Sequence, residues 1–138
     1  MLFRSPYHRG KFDERQQMVS ERARANSCSI VYVNQVCGQD ELVFDGGSMV
    51  FDHRGNMLMR AEQFGESLSF IDIEVNESHA ANGVPVVEVS KTSRAVGTKH
   101  EGTIAPSTSD MEQVFAALVL GTRDYVRKNG FKIGRAHV

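Results

Sequence analysis

The spacing of hydrophobic positions changes several times along the chain, and each change marks an element. Residues 11–26, KFDERQQMVSERARAN, hold no proline or internal glycine, are rich in helix formers and repeat Phe12, Val19 and Ala23 on one face, which predicts a half-exposed helix. Residues 28–36, CSIVYVNQV, form a nearly continuous apolar run of β-branched and aromatic residues, as expected of a central strand buried on both faces. Apolar runs follow between residues 41 and 62, broken at Gly46-Gly47 and again at DHRGN, residues 52–56. The second break has the composition of a hairpin loop with a left-handed glycine joining two antiparallel strands. Residues 69–75, SFIDIEV, alternate apolar and acidic positions and predict a further strand, so that one helix and four strands fill residues 11–75.

Residues 76–109 are polar and rich in glycine, serine and threonine apart from VPVVEVS, a candidate short strand. They read as an irregular linker. The SDME that follows is a capping box: Ser109 accepts from the amide of Glu112, and Glu112 reaches back to Ser109. A helix over 110–128 is therefore expected, with Met111, Val114, Phe115, Leu118, Thr122, Tyr125 and Val126 at three- and four-residue spacing and Gly130 as its terminator. FKI would open another strand. A lone helix with no following sheet cannot bury such a stripe, which points to a second domain of which only the first helix is present.

Composition narrows the function classes. The chain has 138 residues, the size of one ordinary domain, and its 41% hydrophobic content suffices for a core. With 16 basic and 17 acidic residues the net charge is −1, so charge gives no reason to expect nucleic acid or an anionic membrane as a partner. No apolar run approaches the roughly 18 residues of a membrane span. Two cysteines, Cys28 and Cys37, without a signal peptide indicate a cytoplasmic chain with free thiols. The five histidines are scattered without metal-ligand spacing, so no metal site is expected.

Three stretches, SPYHRGK at 5–11, YVNQVCGQDELVFDGGS at 32–48 and ALVLGTRDYVRKNGF at 117–131, resemble the glutamine-dependent NAD+ synthetases. The resemblance covers residues 5 to 75 and 106 to 132. It implies an α/β architecture: residues 1–75 as the C-terminal part of a nitrilase-like αββα glutaminase domain (carbon–nitrogen hydrolase), 76–109 as linker, and 110–132 as the start of an ATP-pyrophosphatase-type synthetase domain. Residues 133–138, IGRAHV, match one reading frame of a sequencing adapter and are set aside as an artefact. In such enzymes ammonia from glutamine passes to the second domain, which amidates deamido-NAD+ after ATP adenylates its carboxylate. ATP and Mg are the implied cofactors, glutamine and deamido-NAD+ the partners, and a homo-oligomer the implied assembly. The family's Glu, Lys and Cys triad would precede the SPYHRGK turn and its SGGxDS phosphate loop would follow residue 132, so the chain alone should hold no catalytic residue and be inactive.

The resemblance carries the family's glutamine-binding positions onto Ser5 and Lys11. A hydroxyl and an ammonium suit a zwitterionic amino acid, although an exposed lysine at a helix start is ordinarily just solvated. His8 and Arg9 are candidate rim contacts. Cys37 stands where the family usually has glycine; Asp40 and Glu41 beside it would raise a thiol pKa, so it reads as a small buried side chain and not a nucleophile. For Asp40, Glu41 and Asp45 two readings stand, a lined cleft or carboxylates that cap backbone amides, and the second is favoured. Two other functions remain open. A stand-alone nitrilase-type amidase would lack the linker and the LVLGTRDYVRKNGF helix, and a non-catalytic interaction domain has only the missing catalytic residues in its favour.

Overall fold

The computed structural model describes residues 5–74 and 97–132, in the order α1 (Lys11–Ala25), β1 (Ile30–Tyr32), β2 (Val36–Gln39), β3 (Leu42–Asp45), β4 (Met49–Phe51), β5 (Met57–Arg60) and α2 (Asp110–Lys128). Helix α1 starts after the left-handed Gly10, carries Asp13 and Glu14 in its first turn and Arg22 and Arg24 in its last, and so agrees with its own dipole at both ends. Its predicted face is the one it buries: Phe12, Val19 and Ala23 form a core with Tyr32, Met49 and Phe51. Arg15 lies on that same face.

The core sheet is antiparallel with order β1-β4-β5. The predicted hairpin is β4–β5. Asp52 closes its turn by accepting from the amides of Arg54 (2.9 Å) and Asn56 (2.7 Å), and Gly55 takes the left-handed conformation (φ 82°). The Ser20 hydroxyl donates to the Gly55 carbonyl at 2.7 Å and ties this turn to α1.

Several expectations need correction. The apolar run 28–36 is not one strand: β1 ends at Tyr32, Asn34 diverts its side chain to other partners, and Val36 opens β2 in a separate hairpin with β3. Nor is it buried on both faces, since Val31 and Val33 are about half exposed. The strand buried throughout is β4, and the strands of residues 30–60 number five. Residues 69–74 form no strand; they run extended and meet the chain again through the Asp72 amide, which donates to the His100 carbonyl at 3.1 Å, and the His100 amide, which donates to the Asp72 carboxylate at 2.8 Å. Residue 75, VPVVEVS and residues 133–138 lie outside the described residues.

The segment before α2 lies along β5. The Arg60 amide donates to the Thr103 carbonyl (3.0 Å) and the Ala105 amide to the Arg60 carbonyl (2.9 Å). The capping box of α2 is present in both directions, with the Ser109 amide donating to Glu112 at 2.8 Å. These bonds hold the Glu112 carboxyl below its ordinary value. The predicted apolar stripe is not the face that packs: Met111, Phe115, Leu118 and Tyr125 are exposed, and α2 instead buries Gln113, Ala117 and Leu120.

Candidate functional site

A buried polar cluster joins the SPYHRGK turn, the end of β1 and the DGGS turn. At its centre is Asp45, fully buried at the end of β3. One carboxylate oxygen accepts from Arg15 Nη1 (3.2 Å) and Asn34 Nδ2 (3.2 Å), and the other from Gln63 Nε2 (3.0 Å). A buried carboxylate is tolerable only with this kind of pairing. Asp45 thus does not cap backbone amides, as the loop reading expected; its carboxylate is held by three side chains, Arg15, Asn34 and Gln63.

Asn34 connects this pair to Ser5. Its Nδ2 also donates to the Ser5 carbonyl (3.1 Å), and its Oδ1 accepts from the Ser5 amide (3.3 Å). On its other side the Asn34 amide donates to Ser48 Oγ at 3.1 Å. Asn34, Gly46, Gly47, Ser48 and Glu62 help line a cavity of about 160 Å³. Gly46 and Gly47 both have left-handed φ, and a Cβ on Gly47 would stand 2.5 Å from the Phe12 ring. Glycine is thus required there both for conformation and for the approach of α1.

Two phenols flank the cluster. Burial raises the Tyr32 pKa, while Arg15 and a hydrogen bond with the Ser5 side chain act in the opposite direction. Burial also raises that of Tyr7, assisted by Asp110 and Asp45. Tyr7 stacks edge-on against Phe64 at 5.4 Å.

The two candidate glutamine-binding residues have different surroundings. Ser5 is half-buried in the cluster, one hydrogen bond from a residue that lines the cavity. Lys11 is exposed at the start of α1 and pairs with Glu14 at 3.2 Å. Arg9 reaches Asp110 at 3.1 Å and so links the turn to the start of α2, while His8 is exposed. Asp40 and Glu41 sit exposed at the β2–β3 turn and do not line the cavity. Cys37 is half-buried, less enclosed than expected, and faces Phe44 across the hairpin.

Sequence reasoning passed over Arg15, Asn34 and Gln63. Two of these had a signal. Arg15 is a charge in register with the apolar positions 12, 19 and 23, and Asn34 is a polar residue inside an apolar run. Gln63 had none, because nothing in its neighbourhood distinguishes it from a solvated glutamine.

Helix α2 docks on the β2–β3 hairpin. The Gly38 amide donates to Asp124 at 2.8 Å, Lys128 Nζ donates to the Gly38 carbonyl, and a Cβ on Gly38 would stand 2.9 Å from the Gly121 Cα. Burial pushes the Asp124 carboxyl up, but the Gly38 amide, Arg123 and Lys128 together bring it below its ordinary 3.8. Among the described residues no three His, Cys, Asp or Glu side chains gather as a metal site.

The chain is similar to known proteins over most of its length. The glutamine-dependent NAD(+) synthetase of Aquifex aeolicus is 37% identical over 141 residues, covering 93% of this chain and 25% of the relative. That of Thermotoga maritima is 37% identical, covering 95% and 25%. The solved structure of glutamine-dependent NAD+ synthetase from Acinetobacter baumannii in complex with ADP superposes with a TM-score of 0.66 at 34% identity, covering 93% of this chain and 21% of that one. The chain thus spans about a quarter of the length of the curated relatives it matches. The profile of the carbon–nitrogen hydrolases matches residues 3–82, the stretch holding α1, all five strands and the buried cluster; the chain belongs to the carbon–nitrogen hydrolase family.

Proposed function

We propose that the chain is part of a glutamine-dependent NAD+ synthetase, with residues 1–75 from its glutaminase domain, 76–109 as linker and 110–132 opening its synthetase domain. The observation that carries this reading is that the likeness to those enzymes extends over 93% of the chain at 34% identity and so reaches into α2, beyond the end of the carbon–nitrogen hydrolase match at residue 82. A stand-alone amidase gives no reason for that extension. In the full-length enzyme, glutamine supplies ammonia and deamido-NAD+ accepts it. Ser5 and Lys11 hold the amino-acid head group of glutamine, Ser5 by a neutral hydrogen bond and Lys11 by a charge-assisted one. Lys11 must exchange Glu14 for the substrate, a small cost because the pair is exposed.

ATP and Mg belong to the same reaction but do not fit the residues described. Among the described residues no acidic cluster gathers to hold the metal, and at the start of α2 the Glu112 amide, which a phosphate could use, is already taken by Ser109 Oγ. We assign nucleotide and metal to the rest of the enzyme and expect this chain alone to be inactive. We place the enzyme in the cytoplasm as a homo-oligomer, with neither nucleic acid nor membrane as partner. No helix among the described residues is long and apolar enough to cross a membrane.

The test is label transfer. Full-length enzyme given amide-labelled glutamine, deamido-NAD+, ATP and Mg should place the label in NAD+. Release of labelled ammonia with no NAD+ formed, at any ATP concentration, would favour the stand-alone amidase.

A further inference from the structure

Asn34 is buried, 6% exposed, yet lines the cavity. Both of its N–H donors are engaged, one by the Ser5 carbonyl and one by Asp45, and its oxygen accepts from the Ser5 amide. It has no donor left for a ligand. What it does is grip the Ser5 backbone from both sides, which restricts the Ser5 φ and ψ and so places the Cβ that carries the hydroxyl, while the hydroxyl itself bonds with the Tyr32 side chain. Asp45 fixes the amide plane of Asn34, and Arg15 and Gln63 fix Asp45. Ser48 holds the Asn34 backbone, its Oγ accepting from the amide and donating to the carbonyl. No other side chain of this length offers two donors and an acceptor in one plane: aspartate lacks the donors and leucine lacks all three.

We propose that Asn34 is a positioning residue for glutamine, acting through Ser5: it sets where the Ser5 hydroxyl stands when the substrate head group arrives. The proposal rests on the glutamine-binding reading of Ser5 given above. It goes beyond that reading by naming an interior residue that touches no substrate and still controls its affinity.

The experiment is a double-variant cycle in the full-length enzyme, with NAD+ synthesis supported either by glutamine or by saturating ammonium. Asn34→Ala should raise KM for glutamine about tenfold, while the ammonium-supported rate stays within about twofold of the parent. In a Ser5→Ala background the same change should add less than about twofold, because the hydroxyl it aims is already gone. Should Asn34→Ala fold poorly, Ser48→Ala removes two bonds to the Asn34 backbone and should raise KM about two- to threefold with the same split. The proposal is overturned by a parallel fall in both rates, by full multiplication of the two effects in the double variant, or by unchanged glutamine kinetics. If Ser5→Ala alone leaves glutamine use unchanged, the reading of Ser5 itself fails; if Ser5→Ala impairs it and Asn34→Ala does not, only the positioning role fails.

Discussion

The two helices obey opposite rules. Helix α1 buries the apolar positions that its periodicity displays, together with one charge, Arg15, that meets a buried carboxylate. Helix α2 has the more regular apolar stripe and leaves it outside, docking through Gln113, Ala117, Leu120 and the Gly121–Asp124 edge. Small residues let its backbone approach Gly38, and Asp124 and Lys128 satisfy the hairpin's amide and carbonyl. Periodicity therefore identifies a face that needs a partner, but not which partner is at hand.

The largest expected effect separates the two helices by energy. Asp45→Ala leaves the Arg15 guanidinium buried without its carboxylate and should cost about 3–5 kcal/mol, read as a fall in the midpoint of chemical unfolding. A cost below about 1 kcal/mol would mean that the pair is solvated. Next comes the α2 joint. Gly38→Val places a branched side chain against the Gly121 backbone and should cost about 1–3 kcal/mol. Amide exchange should then quicken in α2 and not in α1, and equal quickening in both would deny that α2 is a separately docked unit.

Asp124→Asn sharpens the same joint at about 1–2 kcal/mol. The folded Asp124 carboxyl lies below its ordinary 3.8, so its stabilisation is full above that value and is lost as the pH falls through the lower folded value. Parent and variant should differ most above about pH 5 and converge in stronger acid. A gap that widens on acidification would contradict this assignment. The smallest effect is expected on the outward stripe. Phe115→Ser should change stability by no more than about 0.5 kcal/mol and should weaken binding of a hydrophobic dye to the 138-residue chain, whereas Val19→Ala in α1 should cost about 1–2 kcal/mol.

Local signals were readable wherever the chemistry is local. The capping box of Ser109 and Glu112, the Asp52–Asn56 turn with its left-handed Gly55 and the stripe of α1 each depend on neighbours within a few residues, and all three stand as the pattern predicts. The run 28–36 misled because its interruption at Asn34 is set by Ser5 and Asp45, 29 and 11 residues away. Residues 69–74 misled for a related reason. Alternation fits a strand, but Asp72 exchanges hydrogen bonds with His100, 28 residues on, and no strand ladder forms. Of the site, Ser5 and Lys11 came from resemblance to a family, while the cluster that holds Ser5 is visible only once the chain is folded.

The account turns on Lys11, exposed and, among the described residues, paired with Glu14 on its own helix, contacting glutamine in the full-length enzyme. The direct measurement is kcat/KM for glutamine in Lys11→Ala, set beside NAD+ synthesis from added ammonium. Loss of a charge-assisted hydrogen bond of about 1.5–3 kcal/mol predicts a fall of about ten- to 150-fold with glutamine and an ammonium-supported rate close to that of the parent. Unchanged glutamine kinetics would return Lys11 to a solvated helix entrance and contradict the glutamine site, and a parallel fall in both rates would show that the residue serves stability alone.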